Sequence, residues 1–310
     1  MSTASEVRDL LTRFNLRARK SLGQNFLVDD AALDRIVAAA EIEDGDWVLE
    51  IGPGLGTLTR RLAQAAEHVV AVEIDQNLIP PLRLALAGHS NVDIVHGDIL
   101  QLDPFELVAR QASAIGPSGP HSRTVAPAEA STSAQLSDHR TNPLTHYKVV
   151  ANLPYYITSA VIRHLLEVGV RPSVLILTMQ LEVAQRILAA PGDLSLLAIS
   201  VQFYGKPALV TRINAGSFYP APKVDSAVVR IDVHPQPPVA VDDVGHFFAV
   251  VKAGFGQKRK QIHNALKAGL ALRPETIAAA LAQANVDPKR RAETLTLPEW
   301  ARLAEGVKNR

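Results

Sequence analysis

Residues 152–155, Asn-Leu-Pro-Tyr, stand where an apolar run ends (K-V-V-A-N-L-P-Y-Y-I-T). Their types suit one kind of chemistry. Proline lacks an N–H and has a fixed φ, so a turn through Pro154 can hold carbonyls facing outward. The amide oxygen of Asn152 and the carbonyl of Leu153 then form two neighbouring acceptors, and an exocyclic amine offers two donors to match. In an aromatic amine the nitrogen lone pair is delocalised into the ring. Two in-plane acceptors favour pyramidal geometry and free that pair to attack an electrophilic carbon. Tyr155 adds a ring on which a base can stack, holding the nitrogen in line. Positive charge developing on the nitrogen would be stabilised by the two carbonyls. No metal, thiolate or strong base is needed. The competing reading is a strand-ending turn with a surface tyrosine, and the elements around it must decide.

Those elements alternate. Apolar runs at 47–52, 68–73, 92–98, 147–152 and 173–179 read as buried strands, and helical periodicity falls at 57–66, 77–86, 159–168 and 182–189. Strands alternating with helices predict a mainly parallel α/β sheet covered on both faces. Runs at 208–213 and 226–233 read as a closing pair of strands. In such a sheet, ligands bind beyond the carboxyl ends of the strands.

The other strand ends carry matching chemistry. Gly52, Gly54 and Gly56 place G-x-G-x-G at the first strand-to-helix turn, where missing Cβ atoms let backbone approach a ligand closely. Glu73 ends the second strand, 21 residues after Gly52, where an acid can accept from both hydroxyls of a ribose. Asp98 ends the third, placed to accept from an adenine amino group with Ile99 and Leu100 flanking the base. Any one of these could be a structural turn; three at successive strand ends predict nucleoside binding. The spacing is not the dinucleotide G-x-G-x-x-G. With Glu50 it becomes E-x-G-x-G-x-G, which resembles the S-adenosylmethionine motif of class I methyltransferases. No His–carboxylate arrangement supports hydride transfer instead.

Composition narrows the reaction. There are no cysteines, which excludes a thiolate nucleophile and a cysteine-bound iron–sulfur cluster. Methylation at a ring carbon by either route is therefore closed, and an amino nitrogen is the expected target. Ten histidines show no metal-binding spacing, so no metal is expected. No apolar stretch reaches membrane-spanning length, and the opening M-S-T-A-S-E-V-R-D-L-L-T-R-F has no signal core, so a cytoplasmic protein without membrane contact is expected. Net charge is only +1, but residues 41–110 hold four Lys/Arg against twelve Asp/Glu while residues 252–310 hold twelve against five. Arg8, Arg13, Arg17, Arg19 and Lys20 face only Asp9. Basic ends around an acidic middle point to polyanion contact, with solvated helix faces as the plain alternative.

In combination the chain resembles the small-subunit (16S) rRNA adenine N6,N6-dimethyltransferases, the family whose loss in bacteria gives kasugamycin resistance. The resemblance runs from R-K-S-L-G-Q-N-F-L-V-D (19–29) through L-E-I-G-P-G-L-G-T-L-T, V-E-I-D, G-D-I-L and N-L-P-Y-Y-I-T-S. It continues in Q-L-E-V-A-Q-R-I (180–187), G-S-F-Y-P-A-P-K-V-D-S-A-V (216–228), F-G-Q-K-R-K-Q-I-H-N-A-L (255–266) and R-A-E-T-L (291–295). It implies a Rossmann-like class I methyltransferase sheet with a small C-terminal α-helical domain. It implies S-adenosylmethionine as methyl donor, with contacts at Asn25, Leu27, Gly52, Glu73, Asp98 and Asn152, and S-adenosylhomocysteine as product. Residues 152–155 would be the catalytic loop, and Phe218 a second aromatic against the target adenine, core packing being its alternative. The implied substrate is a pair of adjacent adenosines in a hairpin loop near the 3′ end of small-subunit rRNA, each receiving two methyls within an immature 30S particle. A monomer is expected. Leu181 departs from the family pattern, which has a lysine there.

A proline-rich H-P-Q-P-P-V (234–239) precedes only helical patterns, dividing the chain into a catalytic domain, 1–238, and a helical basic RNA-binding domain, 239–310. Residues 112–146, rich in Ser, Pro, Ala, Thr, Gly and His, read as a mobile insertion; His121, His139 and His146 in or beside it receive no role. Phosphate contacts are expected at Arg17, Arg19 and Lys20 and at the Lys258–Arg259–Lys260 triplet, which looks like the opening of a helix. Two alternatives stay open. One is a large-subunit (23S) rRNA adenine methyltransferase of the macrolide-resistance type. The other is a non-catalytic ribosome-assembly factor on the same scaffold.

Overall fold

A computed structural model describes residues 2–115 and 146–308. The main sheet has seven strands: β1 (Trp47–Ile51), β2 (His68–Glu73), β3 (Val92–His96), β4 (Lys148–Asn152), β5 (Val174–Gln180), β6 (Gly205–Ile213) and β7 (Ser226–Val233). Their spatial order is β3-β2-β1-β4-β5-β7-β6. The first five are mutually parallel, and β7 runs antiparallel to both β5 and β6. The parallel strands are rich in Val, Ile and Leu because helices cover both faces, and β2 is buried along its whole length. All five carboxyl ends therefore meet at one edge. The order reverses direction beside β1, so that edge contains a crevice between β1 and β4.

On the way to β1, helices α1 (Thr3–Arg13) and α2 (Asp30–Ala40) flank a strap, residues 15–29. Its Phe26–Leu27 pairs antiparallel with Phe218–Tyr219 in a separate two-stranded ribbon over the crevice. Asp29 caps α2, accepting from the Ala32 N–H at 3.0 Å, and also accepts from the Ser217 hydroxyl at 2.8 Å, which ties the strap to that ribbon. Helices α3 (Thr59–Ala65), α4 (Ile79–Ala85), α5 (Pro104–Ile115), α6 (Thr158–Glu167) and α7 (Leu181–Ile187) follow their strands as crossovers. Residues 112–115, assigned by sequence to the insertion, are the last turn of α5; residues 116–145, with His121 and His139, lie outside the described residues, and His146 is described, 3.7 Å from the Asp46 carboxylate.

Between β3 and β6, two helices fall outside those predicted from the sequence. In α5, Pro104 takes the first position while the Asp103 carboxylate accepts from the N–H groups of Phe105 and Glu106. In α8 (Leu196–Tyr204), L-L-A-I-S-V-Q-F-Y is buried nearly all round and so has no polar face to mark a helical period. This helix is the seam with the C-terminal part. Helices α9 (Val244–Phe255), α10 (Ile262–Gly269), α11 (Pro274–Gln283) and α12 (Leu297–Lys308) continue the same hydrophobic core without a break. Phe203 of α8 packs its ring 5.0 Å from Phe247 and 5.2 Å from Phe248. The carbonyl of Glu293, within R-A-E-T-L, accepts the N–H groups of Gly192 at 2.9 Å and Leu194 at 3.2 Å, a clasp from the far side. The basic triplet does not open a helix. It lies in the turn between α9 and α10, and α10 begins only where the Ile262 N–H meets the Arg290 carbonyl at 2.6 Å.

Because this seam is continuous core, Phe203→Ala should cost about 3–5 kcal/mol. Thermal unfolding should remain a single transition at a lower temperature; two resolved transitions would show the helical part to be an independent unit.

Candidate active site

The crevice opens onto a cavity lined by the strap (Leu22 to Leu27), the first turn after β1, the ends of β2 and β3, residues 152–157, and Phe218. Of the residues singled out by sequence, Asn25, Leu27, Gly52, Gly54, Glu73, Asp98, Asn152, Leu153, Pro154, Tyr155 and Phe218 all face this one space. Gly56 does not. A Cβ there would meet Leu82 at 3.1 Å, so its small size serves the packing of α4 on the turn.

Glu73 is only 4% exposed and holds the turn together. One carboxylate oxygen accepts from the Gly54 N–H at 3.1 Å and the other from the Asp75 N–H at 2.8 Å. Burial pushes its pKa above the ordinary value, and those two N–H groups hold it back. Gly54 is required at its place. Its φ is +59°, and a Cβ would lie 3.0 Å from the Phe26 ring. Asp98 accepts from the Leu100 N–H at 3.0 Å, which presents Ile99 and Leu100 to the cavity.

Asp75, one turn on, fastens the strap. Its carboxylate accepts from the Gln24 amide at 2.8 Å and from Arg19 at 3.2 Å. Burial alone would raise its pKa; these donors and Asn77 outweigh it and lower it. Arg19, expected at RNA phosphates, thus already has a carboxylate partner. Arg17 and Lys20 are exposed, as are Lys258, Arg259 and Lys260, and none has an acidic partner among the described residues.

The strap reaches the catalytic candidates. The Asn152 amide nitrogen donates to the Asn25 carbonyl at 3.2 Å, which leaves the amide oxygen of this cavity-lining residue as an acceptor. The Leu153 N–H is anchored on the Thr178 carbonyl at 3.2 Å, and the Pro154 carbonyl accepts from the Ile157 N–H at 3.2 Å, closing the turn. The Tyr155 hydroxyl pairs with Ser226 at 2.7 Å. Phe218 is 4% exposed and does double duty: it packs in the core with Leu27 and Val228, and it lines the cavity.

Two contributors escaped the sequence reading, and a third, Glu50, entered it only as the first residue of the glycine motif. Gln24 and Ser226 sit inside quoted motifs, but nothing local marks what they bond. Glu50 carries a signal: it is a charged residue inside the apolar strand W-V-L-E-I. It is 1% exposed, lines the cavity, and one of its oxygens has no partner. Burial, reinforced by the negative charge of Glu73, pushes it up to about 8.

The strand order, the glycine turn and the acids at the next two strand ends define a class I S-adenosylmethionine-dependent methyltransferase fold. The cavity fits such a donor: acids at two neighbouring strand ends along one edge, an orphaned buried acceptor at Glu50, and left-handed glycines at 52 and 54 in its wall. The chain belongs to the ribosomal RNA adenine dimethylase family, whose model matches residues 15–308. Among its relatives are proteins named ribosomal RNA small subunit methyltransferase A. That of Dehalococcoides mccartyi is 40% identical, over 97% of this chain and 92% of its own length. That of Moorella thermoacetica is 41% identical, over 100% and 99%. The crystal structure of the 23S rRNA methyltransferase ErmE superposes with a TM-score of 0.65 at 27% identity, covering 92% of this chain and all of that one. A dimethyladenosine transferase from Plasmodium falciparum shares the fold, with a TM-score of 0.66.

Glu50 yields a signed pH effect. In the unfolded chain it ionises near 4.5, and in the ligand-free fold near 8. The folded state therefore holds the extra proton between those values, and stability falls as pH rises through that window, by on the order of a few kcal/mol. Glu50→Gln removes this titration. The ligand-free variant should gain unfolding temperature over the wild type as pH rises from 4.5 to 8, the two curves converging at the acid end. A difference that does not vary with pH contradicts the assignment.

Proposed function

We propose that this chain transfers methyl groups from S-adenosylmethionine to the N6 nitrogens of two adjacent adenosines in small-subunit rRNA, two methyls to each. The target is the hairpin loop near the 3′ end, within an immature 30S particle, and the protein acts as a cytoplasmic monomer. The observation that carries the reading is the Asn152 amide, a lining residue of the cavity beside the Leu153–Pro154 turn, its nitrogen fixed on the Asn25 carbonyl and its oxygen left to accept. The relatives named for the small subunit favour that substrate over the large one.

The donor supplies an electrophilic methyl on a sulfonium. The chain's residues do the rest. Glu73 and Asp98 would hold the ribose and adenine of the donor, with Ile99 and Leu100 against the ring. Asn152 Oδ1 and the Leu153 carbonyl would accept both hydrogens of the target amine, localise its lone pair and stabilise the charge that develops there. Tyr155 and Phe218 would hold the extruded base from two sides, since a base in a loop is turned out at least cost. The strap and ribbon exclude water from the crevice. Residues 1–238 would perform the transfer, while 239–310, through the Lys258–Arg259–Lys260 turn, would contact phosphates that position rather than specify.

Labelled S-adenosylmethionine should transfer to small subunits from an unmodified strain, to two methyls per adenosine. Label on the large subunit instead would support the reading that the ErmE likeness suggests. Asn152→Ala should bind the donor with near wild-type affinity in calorimetry and lose roughly 100-fold or more in transfer rate; unchanged turnover would remove the amide from the mechanism.

A further inference from the structure

The rim of the cavity carries an aromatic ring that methyl transfer does not use. Tyr156 follows the catalytic turn, lines the cavity mouth and is 61% exposed. Its neighbour Tyr155 points inward and is tied to Ser226, so the two consecutive rings serve different spaces. Tyr156 is seated against the strap: a Cβ on Gly23 would come within 3.3 Å of its Cδ1 and of the Pro154 Cβ. Gly23 has a φ of +61°, so a side chain there would strain the backbone as well as crowd the ring. The Tyr156 hydroxyl has no hydrogen-bond partner among the described residues. Neither core packing nor a polar contact among the described residues accounts for the residue, and it lines the cavity together with the strap residues Leu22 to Leu27.

Its setting names the partner. Gly23 closes the turn Lys20–Leu22, and Lys20 and Arg17 on the same strap are exposed without acidic partners among the described residues. An open aromatic ring packed on a segment that carries exposed cations suits single-stranded nucleic acid: a base stacks on the ring and the cations meet its phosphates. Turning one nucleotide into the cavity strips its neighbour of a stacking partner, and a ring at the mouth replaces it.

We propose that Tyr156 is the stacking platform for the nucleotide adjoining the target adenosine. The inference rests on the proposed RNA substrate and deepens it. Strand polarity fixes the side: whichever of the two adenosines is in the cavity, the platform takes the neighbour on the same side of it.

The test is a double-mutant cycle on the full chain. Methylation of small subunits assembled around rRNA carrying both adenosines is measured for wild type, Tyr156→Ala and Tyr156→Phe. Each is repeated with RNAs made abasic on the 5′ or the 3′ side of the target. Tyr156→Ala should raise KM about ten-fold, the loss falling on KM rather than kcat, as expected for one lost base–ring stack. Tyr156→Phe should restore the wild-type KM, because stacking needs no hydroxyl. The alanine effect should vanish on one of the two abasic RNAs. Equal alanine losses on the intact and both abasic RNAs, or a phenylalanine variant as impaired as alanine, would overturn the platform. A wild-type chain that methylates no rRNA would overturn the functional reading itself.

Discussion

Glu73 is the buried carboxylate on which the rest of the site depends. A carboxylate with so little solvent must find donors within the protein, and it finds them in the backbone of Gly54 and Asp75. That requirement fixes the glycine turn after β1 and the turn after β2 with respect to each other. Asp75, so placed, collects Gln24 and Arg19 and draws the strap across the crevice. The strap brings the Asn25 carbonyl to the Asn152 amide. A single relay of hydrogen bonds thus runs from the donor end of the cavity to the amide at its reacting end.

On the proposed mechanism, the relay would let an amine be activated without a base. Reacting groups need fixed acceptors more than strong ones, since acceptors already in place need no reorganisation during the reaction. Each end of the turn at 152–155 is fixed by a bond outside itself: Asn152 to the strap, Leu153 to β5, and Tyr155 to Ser226 at the start of β7. The lone antiparallel strand therefore has a part in the chemistry, because its first residue holds the inner tyrosine. The orphaned oxygen of Glu50 has the opposite character: it weakens the ligand-free fold, a cost that a donor group entering the cavity would offset.

Much of this was legible in the sequence because parallel strands announce themselves as apolar runs, and because their carboxyl ends must share an edge. That rule alone brings Gly52, Glu73, Asp98 and Asn152 together without any contact being known. What remained hidden was non-local or lacked a period. The helix Leu196–Tyr204 is apolar on all sides and shows no 3.6-residue rhythm. The two-residue pairing of Phe26–Leu27 with Phe218–Tyr219 joins segments far apart in the chain and is too short to mark either. The ion pair of Arg19 with Asp75 was not legible, because the two lie 56 positions apart. The basic triplet was read as a helix start because charge does not distinguish a first turn from the loop before it.

The central claim is that the donor and the Asn152 amide meet at one edge, and a crystal structure of the chain with S-adenosylhomocysteine tests it most directly. The account predicts both ribose hydroxyls on the Glu73 carboxylate, and Asn152 still donating to Asn25 with its oxygen facing the sulfur. A product bound away from Glu73, or an Asn152 side chain rotated out of the cavity, would contradict it.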